Sequence, residues 1–268
     1  MHNEKIAIVA GGGLLPQLVA RQLQKQDIAF ITLGLVGSDS DINADYQVTP
    51  GQVQPVLDIL RKELVTTIVF AGHIKRPGLL SLKVDMIGAK LLAKIMAAKV
   101  HGDNTVLSII ASFLEDQGFK VVSPNQILPS LLTPKHVLGS VYPDQADLDD
   151  IVTGKMILAS LGEFDIGQAV VVENGYTLGI EAAEGTDELI VRCGKIKREE
   201  GKRGVLIKMK KVKQDQRLDL PTIGEVTIEK ILEAGLRGVA IEAGASLVVD
   251  AEAVIKLADK HGVFVVGV

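Results

Sequence analysis

The sequence holds one cysteine and no tryptophan, and aromatic residues fill only 3% of its 268 positions. Cys193 alone can form neither an internal disulfide nor a multi-thiolate metal site. So few rings argue against a stacking platform for single-stranded nucleic acid. Lysine and arginine number 29 against 33 aspartates and glutamates, a net charge of −4, so a global basic field for gripping nucleic acid is missing as well. No uninterrupted apolar run approaches the roughly 18–20 residues that span a bilayer. The opening Met1-His2-Asn3-Glu4-Lys5 runs straight into Ile6-Ala7-Ile8-Val9-Ala10, without the basic, apolar and small-residue succession of a signal peptide. What is present, 47% hydrophobic and 23% charged, is the balance of a folded globular chain. At roughly 100–200 residues per domain, the length fits one large domain or two modest ones.

The first half alternates short apolar runs with helical spacing. Strands are predicted at 5–10, 29–35 and 67–71, with helices at 14–26 and 53–63 between them. Runs this apolar suit strands buried on both faces of a parallel sheet. Helices are predicted at 83–100 and 104–117, and a strand at 119–122. Four of the nine prolines fall between Ser123 and Gln145, which reads as the connection between domains. The second half mixes hairpins and helices. Asn174-Gly175 between two apolar runs is a strong hairpin signal. Asp147, Thr186 and Asp250 are the predicted helix caps. The predicted fold is therefore α/β in two domains. An N-terminal Rossmann-like, doubly wound parallel sheet covers 1–132, and a C-terminal mixed α/β domain covers 133–268 and carries acidic loops.

Several strings carry candidate chemistry. Gly11-Gly12-Gly13 follows a strand and opens a helix, where backbone N–H groups would face an anion. That reads as a phosphate or nucleotide cradle, with a plain tight turn as the alternative. The full dinucleotide fingerprint fails, because Leu14-Leu15-Pro16 follow the glycines. The end of the second strand, near Leu33-Gly34, also lacks a ribose-binding acid. Ala71-Gly72-His73-Ile74-Lys75-Arg76-Pro77 closes the third strand, at the edge where open α/β sheets bind ligands. Arg76 and Lys75 suit a diphosphate, and His73 suits hydrogen-bond or proton donation. A solvated basic loop is the alternative. The helix at 83–100 carries Lys83, Lys90 and Lys94 on one face and reads as a core helix with snorkelling lysines, over a lipid-contacting one. Asp103 reads as an N-cap, or else as a diphosphate-site acid or metal ligand.

The densest group lies in the second half. Asp165-Ile166-Gly167-Gln168, Glu181 to Asp187, Asp215 to Gly224 and Glu242-Ala243-Gly244 each set acids beside glycine at the end of a strand-like run. Such carboxylates suit a hard cation such as Mg²⁺. Phosphoryl transfer needs positive charge of that kind. Each acid also has a plain reading: Asp187 as a dipole-favoured helix residue, Glu181 as an exposed strand residue. Asp219, before Leu220-Pro221 in an extended segment, is the acid favoured for catalysis.

Taken in order, the strings from Ala10 to Pro16, Ala71 to Pro77, Gly102-Asp103, Asp165 to Gln168, Glu181 to Asp187, Asp219 to Gly224, Ala234 to Gly238 and Glu242 to Gly244 resemble the LpxI family. The resemblance covers essentially the whole chain. It implies two domains holding a lipid-linked sugar nucleotide between them. It implies Mg²⁺-dependent hydrolysis of UDP-2,3-diacylglucosamine, with water attacking the β-phosphorus to give UMP and 2,3-diacylglucosamine 1-phosphate (lipid X). It further implies a cytoplasmic enzyme of lipid A biosynthesis, peripheral to the inner membrane of a Gram-negative-type bacterium, forming a homodimer. The family's essential aspartate matches Asp219. Gly102-Asp103-Asn104 departs from the family's Gly-Asp-Asp, so position 104 brings no charge. The resemblance also makes the helix at 83–100 a candidate for acyl-chain contact.

The expected site then has Asp219 and Asp187 as catalytic acids, and Asp219, Glu184 and Glu242 as metal ligands. Gly11, Gly12, Gly13, His73, Arg76, Asp103, Gln168, Thr186 and Thr222 would bind substrate. A nucleotide-binding sensor without catalysis is the rival from another class, and a nucleotide-dependent oxidoreductase a weaker one.

Overall fold

Strands whose side chains are apolar on both faces need cover on both faces, and the chain supplies it with helices. The structure, a computed structural model, describes residues 4–38, 42–74, 82–98, 103–164, 166–198, 201–211, 215, 217–218 and 220–268, without the side chains of Asp103, Asn104 and Glu163. It divides into two units, Met1–Pro129 with Asp215–Asp219, and Ser130–Gln214 with Leu220–Val268. A single cut does not describe the chain, because a short late segment belongs to the first unit.

In the first unit, β1 (Ile6–Ala10), β2 (Phe30–Leu35), β3 (Tyr46–Val48), β4 (Thr67–Ala71) and β5 (Lys120–Val122) pair in the order β3-β2-β1-β4-β5, all parallel. The crossovers run through α1 (Leu15–Lys25), α2 (Val53–Lys62), α3 (Met86–Met96) and α4 (Asp103–Asp116). Alternate strand residues face opposite ways. Ala7, Leu33 and Ile68 share one core with Leu57 of α2 and Leu114 of α4. On the other face α1 packs on β1 and β4, beside the short α5 (Pro124–Ile127).

Two expectations change here. The helix predicted at 83–100 is α3, capped by Asp85, so Lys83 precedes it, while 99–100 lie outside the described residues. It is not a core helix, since Met86 and Met96 are 79% and 62% exposed and Lys90 and Lys94 face solvent. Its first turn is fixed instead by one carboxylate. Asp85 accepts from the Gly88 amide and from the Gln54 amide of α2, each at 2.7 Å. The stretch 123–145 is also more than a connection. Ser123 opens α5 in a reciprocal capping box with Gln126, and β6 (Val137–Leu138) pairs antiparallel with the last strand.

The second unit is built on a mixed sheet in the order β6-β13-β11-β9-β7-β8. Its strands are β6, β7 (Ala169–Glu173), β8 (Tyr176–Ile180), β9 (Val205–Lys208), β11 (Gly238–Ile241) and β13 (Phe264–Gly267). β9, β11 and β13 are parallel, and β7 runs against both β9 and β8. The β7–β8 hairpin turns at Asn174 and Gly175, both left-handed at φ 49° and 78°. Asp150 of α6 (Gln145–Leu161) clamps that turn, accepting from both amides at 2.9 and 2.7 Å. α6 covers one sheet face through Ile151 and Leu158. α7 (Thr186–Ile196), α8 (Glu225–Glu233) and α9 (Ala251–Lys260) cover the other. β10 (Thr222–Ile223) and β12 (Leu247–Val248) form a separate parallel pair. Cys193 of α7 is fully buried with its Sγ beneath Gly179, and burial pushes its thiol up to about 11.

Capping differs from expectation at two of three places. Asp144, not Asp147, caps α6, and Asp147 returns the bond to the Asp144 amide. Gly185, not Thr186, caps α7, at φ 83°. Asp250 caps α9 as expected, accepting from Ala253. Among the described residues no helix is long and apolar enough to cross a membrane.

The late segment is tied into the first unit by Leu218, which enters its core, and by Arg217. The Arg217 fork holds Asp215 at 3.0 and 2.8 Å and also reaches Glu115 of α4. Hydrogen bonding from Arg217 holds the Asp215 carboxyl below its ordinary 3.8. A lowered folded-state value means the pair stabilises fully above pH 3.8 and is lost as pH falls through the lowered value. Asp215→Asn lacks that contribution. Its urea midpoint should trail the wild type at pH 7 and converge on it in acid, and a gap that does not narrow with pH would refute the pairing.

Candidate functional site

Each unit gathers expected site residues at one sheet edge. In the first, the strand order reverses direction between β1 and β4, the crevice where open α/β sheets take ligands. The chain continues past both strands there and pairs again. Gly11 donates to the Ala71 carbonyl at 2.8 Å, Gly12 to the His73 carbonyl at 2.7 Å, and His73 back to the Gly12 carbonyl at 3.1 Å. A Cβ at Gly12 would lie 2.3 Å from the His73 ring, and one at Gly11 2.4 Å from the His73 oxygen. The glycines therefore serve close backbone approach.

This corrects the expected cradle. The Gly11 and Gly12 amides are spent on the β4 extension and do not face an anion, which leaves Gly13 (φ 85°) and the start of α1. His73 is exposed, with its ring over Gly12. Arg76 lies outside the described residues, and so does the side chain of Asp103 at the first residue of α4. Where the second strand lacks an acid, Gln47 of β3 covers Gly34, its Nε2 2.9 Å from where a Cβ would stand.

In the second unit, the antiparallel course of β7 brings its start beside the ends of β8, β9 and β11. Ala169 stands opposite Lys208, which stands opposite Ile241. Glu181, just past β8 and 6% exposed, accepts from the Gln168 amide and the Thr186 hydroxyl, each at 2.7 Å. Three strands along, the Glu242 carboxylate accepts from the Lys210 amide at 2.8 Å. Thr222 turns its hydroxyl to the Leu220 carbonyl at 2.8 Å. Asp187 is exposed in the first turn of α7, where the helix dipole favours a negative charge. Asp165 and Asp219 lie outside the described residues.

Of the expected metal ligands, Glu184 and Glu242 are described and Asp219 is not. Arg192 pairs with Glu184 at 2.7 Å and holds its carboxyl below the usual range. Among the described residues no group of three His, Cys, Asp or Glu side chains is placed to hold a metal. Lys208, by contrast, was not anticipated. It is 7% exposed at the end of β9, with its Nζ 2.9 Å from the Thr222 carbonyl. Its signal was present: a lysine closing the apolar run Val205-Leu206-Ile207 at a strand's carboxyl end.

The arrangement defines a two-unit α/β protein with acids and a buried lysine at a strand edge. Comparison with known proteins names the family. The LpxI N-terminal domain matches residues 5–131 and the LpxI C-terminal domain residues 134–266. UDP-2,3-diacylglucosamine pyrophosphatase LpxI of Caulobacter vibrioides is 36% identical over 273 residues, covering 98% of this chain and 97% of that one. Two solved structures share 13% and 12% identity: an N5-carboxyaminoimidazole synthase with ADP and 5-aminoimidazole ribonucleotide, and a carboxyaminoimidazole ribonucleotide synthase with ATP, both from Aspergillus clavatus. The matches cover 74% and 72% of this chain and 46% and 45% of those, at TM-scores of 0.23 and 0.24, too low to equate the folds. The chain belongs to the LpxI family and is an enzyme, a hydrolase.

The tight Gly12–His73 approach is open to test. In Gly12→Ala the new methyl must displace the imidazole. The expected outcome is at least about tenfold lower kcat/KM with the urea midpoint little changed, because the obstructing group is an exposed side chain. Unchanged kcat/KM would remove this edge from the site.

Proposed function

We propose that the chain hydrolyses the diphosphate of UDP-2,3-diacylglucosamine, giving UMP and 2,3-diacylglucosamine 1-phosphate in lipid A biosynthesis. The observation that carries this reading is the extent of the likeness to the Caulobacter enzyme, 36% identity across 98% of the chain. Water attacks the β-phosphorus and its oxygen stays on the sugar phosphate. The bond to the bridging oxygen breaks, and UMP leaves with that oxygen. Asp219 and Asp187 are the acids assigned to orient the water or take its proton. The parallel order β3-β2-β1-β4-β5 supports a Rossmann-like first unit, with Gly13, His73 and Arg76 toward the nucleotide diphosphate. Gln168, Thr186 and Thr222 serve the sugar side.

Mg²⁺, when bound, would offset charge on the diphosphate oxygens. This ion takes one or two carboxylates and fills its shell with phosphate oxygens and water, so a cage of three acids is not required. Asp219, Glu184 and Glu242 are the residues assigned to it. Peripheral contact with the inner membrane and a homodimer belong to the same reading. Two exposed apolar faces support them: Met86 and Met96 on α3 beside Lys90 and Lys94, and Leu148, Val152 and Met156 along α6.

Mass spectrometry of the reaction in ¹⁸O-water, with Mg²⁺ and with EDTA, tests the proposal. Metal-dependent UMP and labelled sugar phosphate are expected, and Asp219→Ala should lower turnover by roughly 10²-fold or more. Label on UMP would move the attack to the α-phosphorus. Saturable binding without product would make the chain a sensor.

A further inference from the structure

Glu181 was expected among acids suited to a cation, yet its surroundings fit another task. It is 6% exposed, and each oxygen already accepts a 2.7 Å hydrogen bond. Its amide donates to the Ala169 carbonyl at 2.9 Å, fixing it beside the start of β7. The neighbouring loop is fitted to it. Gly167 is left-handed at φ 51°, and a Cβ there would lie 2.1 Å from the Glu181 carbonyl oxygen. α7 begins at Thr186 after a glycine that supplies no side-chain cap, so the Thr186 hydroxyl bond to Glu181 fixes the start of that helix.

We infer that Glu181 is a positioning residue: its carboxylate sets Gln168 and Thr186 for the sugar part of the substrate. This rests on the reading given under Proposed function. Gln168 is held at both ends of its backbone, by Glu181 at its amide and by the Met209 amide at its carbonyl, 2.9 Å away. Its side-chain oxygen is buried and has no hydrogen-bond partner among the described residues. Such an acceptor calls for a donor, and a sugar hydroxyl or an amide N–H supplies one. Phosphate supplies none when ionised.

The test separates positioning from packing. Glu181→Gln keeps an oxygen for the Gln168 amide but loses the charged acceptor of Thr186. The expected result is KM raised about tenfold with kcat within about threefold and the urea midpoint nearly kept. Thr186→Val should raise KM similarly. Because both changes remove the same donation from the Thr186 hydroxyl to a carboxylate, the double variant should be little worse than either one. Additive losses, about a hundredfold in KM, would show that Glu181 does not act through Thr186 and would overturn the inference. A lowered midpoint with unchanged KM would reduce Glu181 to a packing role and overturn it too. A wild type that makes no product would overturn the hydrolase reading, and this inference with it.

Discussion

The reversal at Asn174-Gly175 decides which residues of the second unit can meet. With both residues left-handed, the turn matches the twist of its strands, and β7 and β8 lie back to back in sequence. The start of β7 and the end of β8 therefore fall at one edge, and that edge is where β9 and β11 also end. Without the reversal, Gln168 would lie at the far end of the sheet from Glu181. Asp150 reinforces the turn from α6, at the cost of a carboxylate taken out of water, and burial pushes its pKa up. The stability of the hairpin and the geometry of the site are thus one constraint.

Charge is divided unevenly along that edge. Toward β8 and α7 it is acidic, with Glu181, Asp187 and Glu188 and with Glu184 neutralised by Arg192. Toward β9 and β11 it carries the buried Lys208, whose carbonyl accepts from the Glu242 amide at 3.2 Å.

Much of this was legible because apolar runs and glycine punctuation are local signals. β4 was read at its observed limits, as were the hairpin at Asn174-Gly175 and the Asp250 cap. β3 was not seen, being three residues held by β2 and by Asp45, whose carboxylate accepts from both the amide and the hydroxyl of Thr32. The exposure of α3 was misjudged because its residues are apolar nearly all round, and composition does not say whether a neighbour arrives to cover them. At the site, the strings naming Gln168, Glu181, Thr186 and Glu242 were found. Their partners were not, because these bonds join residues distant in sequence or unremarkable in it. Arg192 takes Glu184 from the next helix. Lys208 passed unnoticed since a lysine near a strand end usually reaches solvent.

The depth of Cys193 has a practical side. A thiol whose pKa stands near 11 is almost wholly protonated at neutral pH, and packing keeps reagents from it. For maleimide or iodoacetamide chemistry the native protein is effectively blank. A cysteine introduced at Met86, 79% exposed on α3, would carry a spin label or fluorophore without first deleting the native thiol. Such a probe would report directly on whether that helix enters a lipid surface.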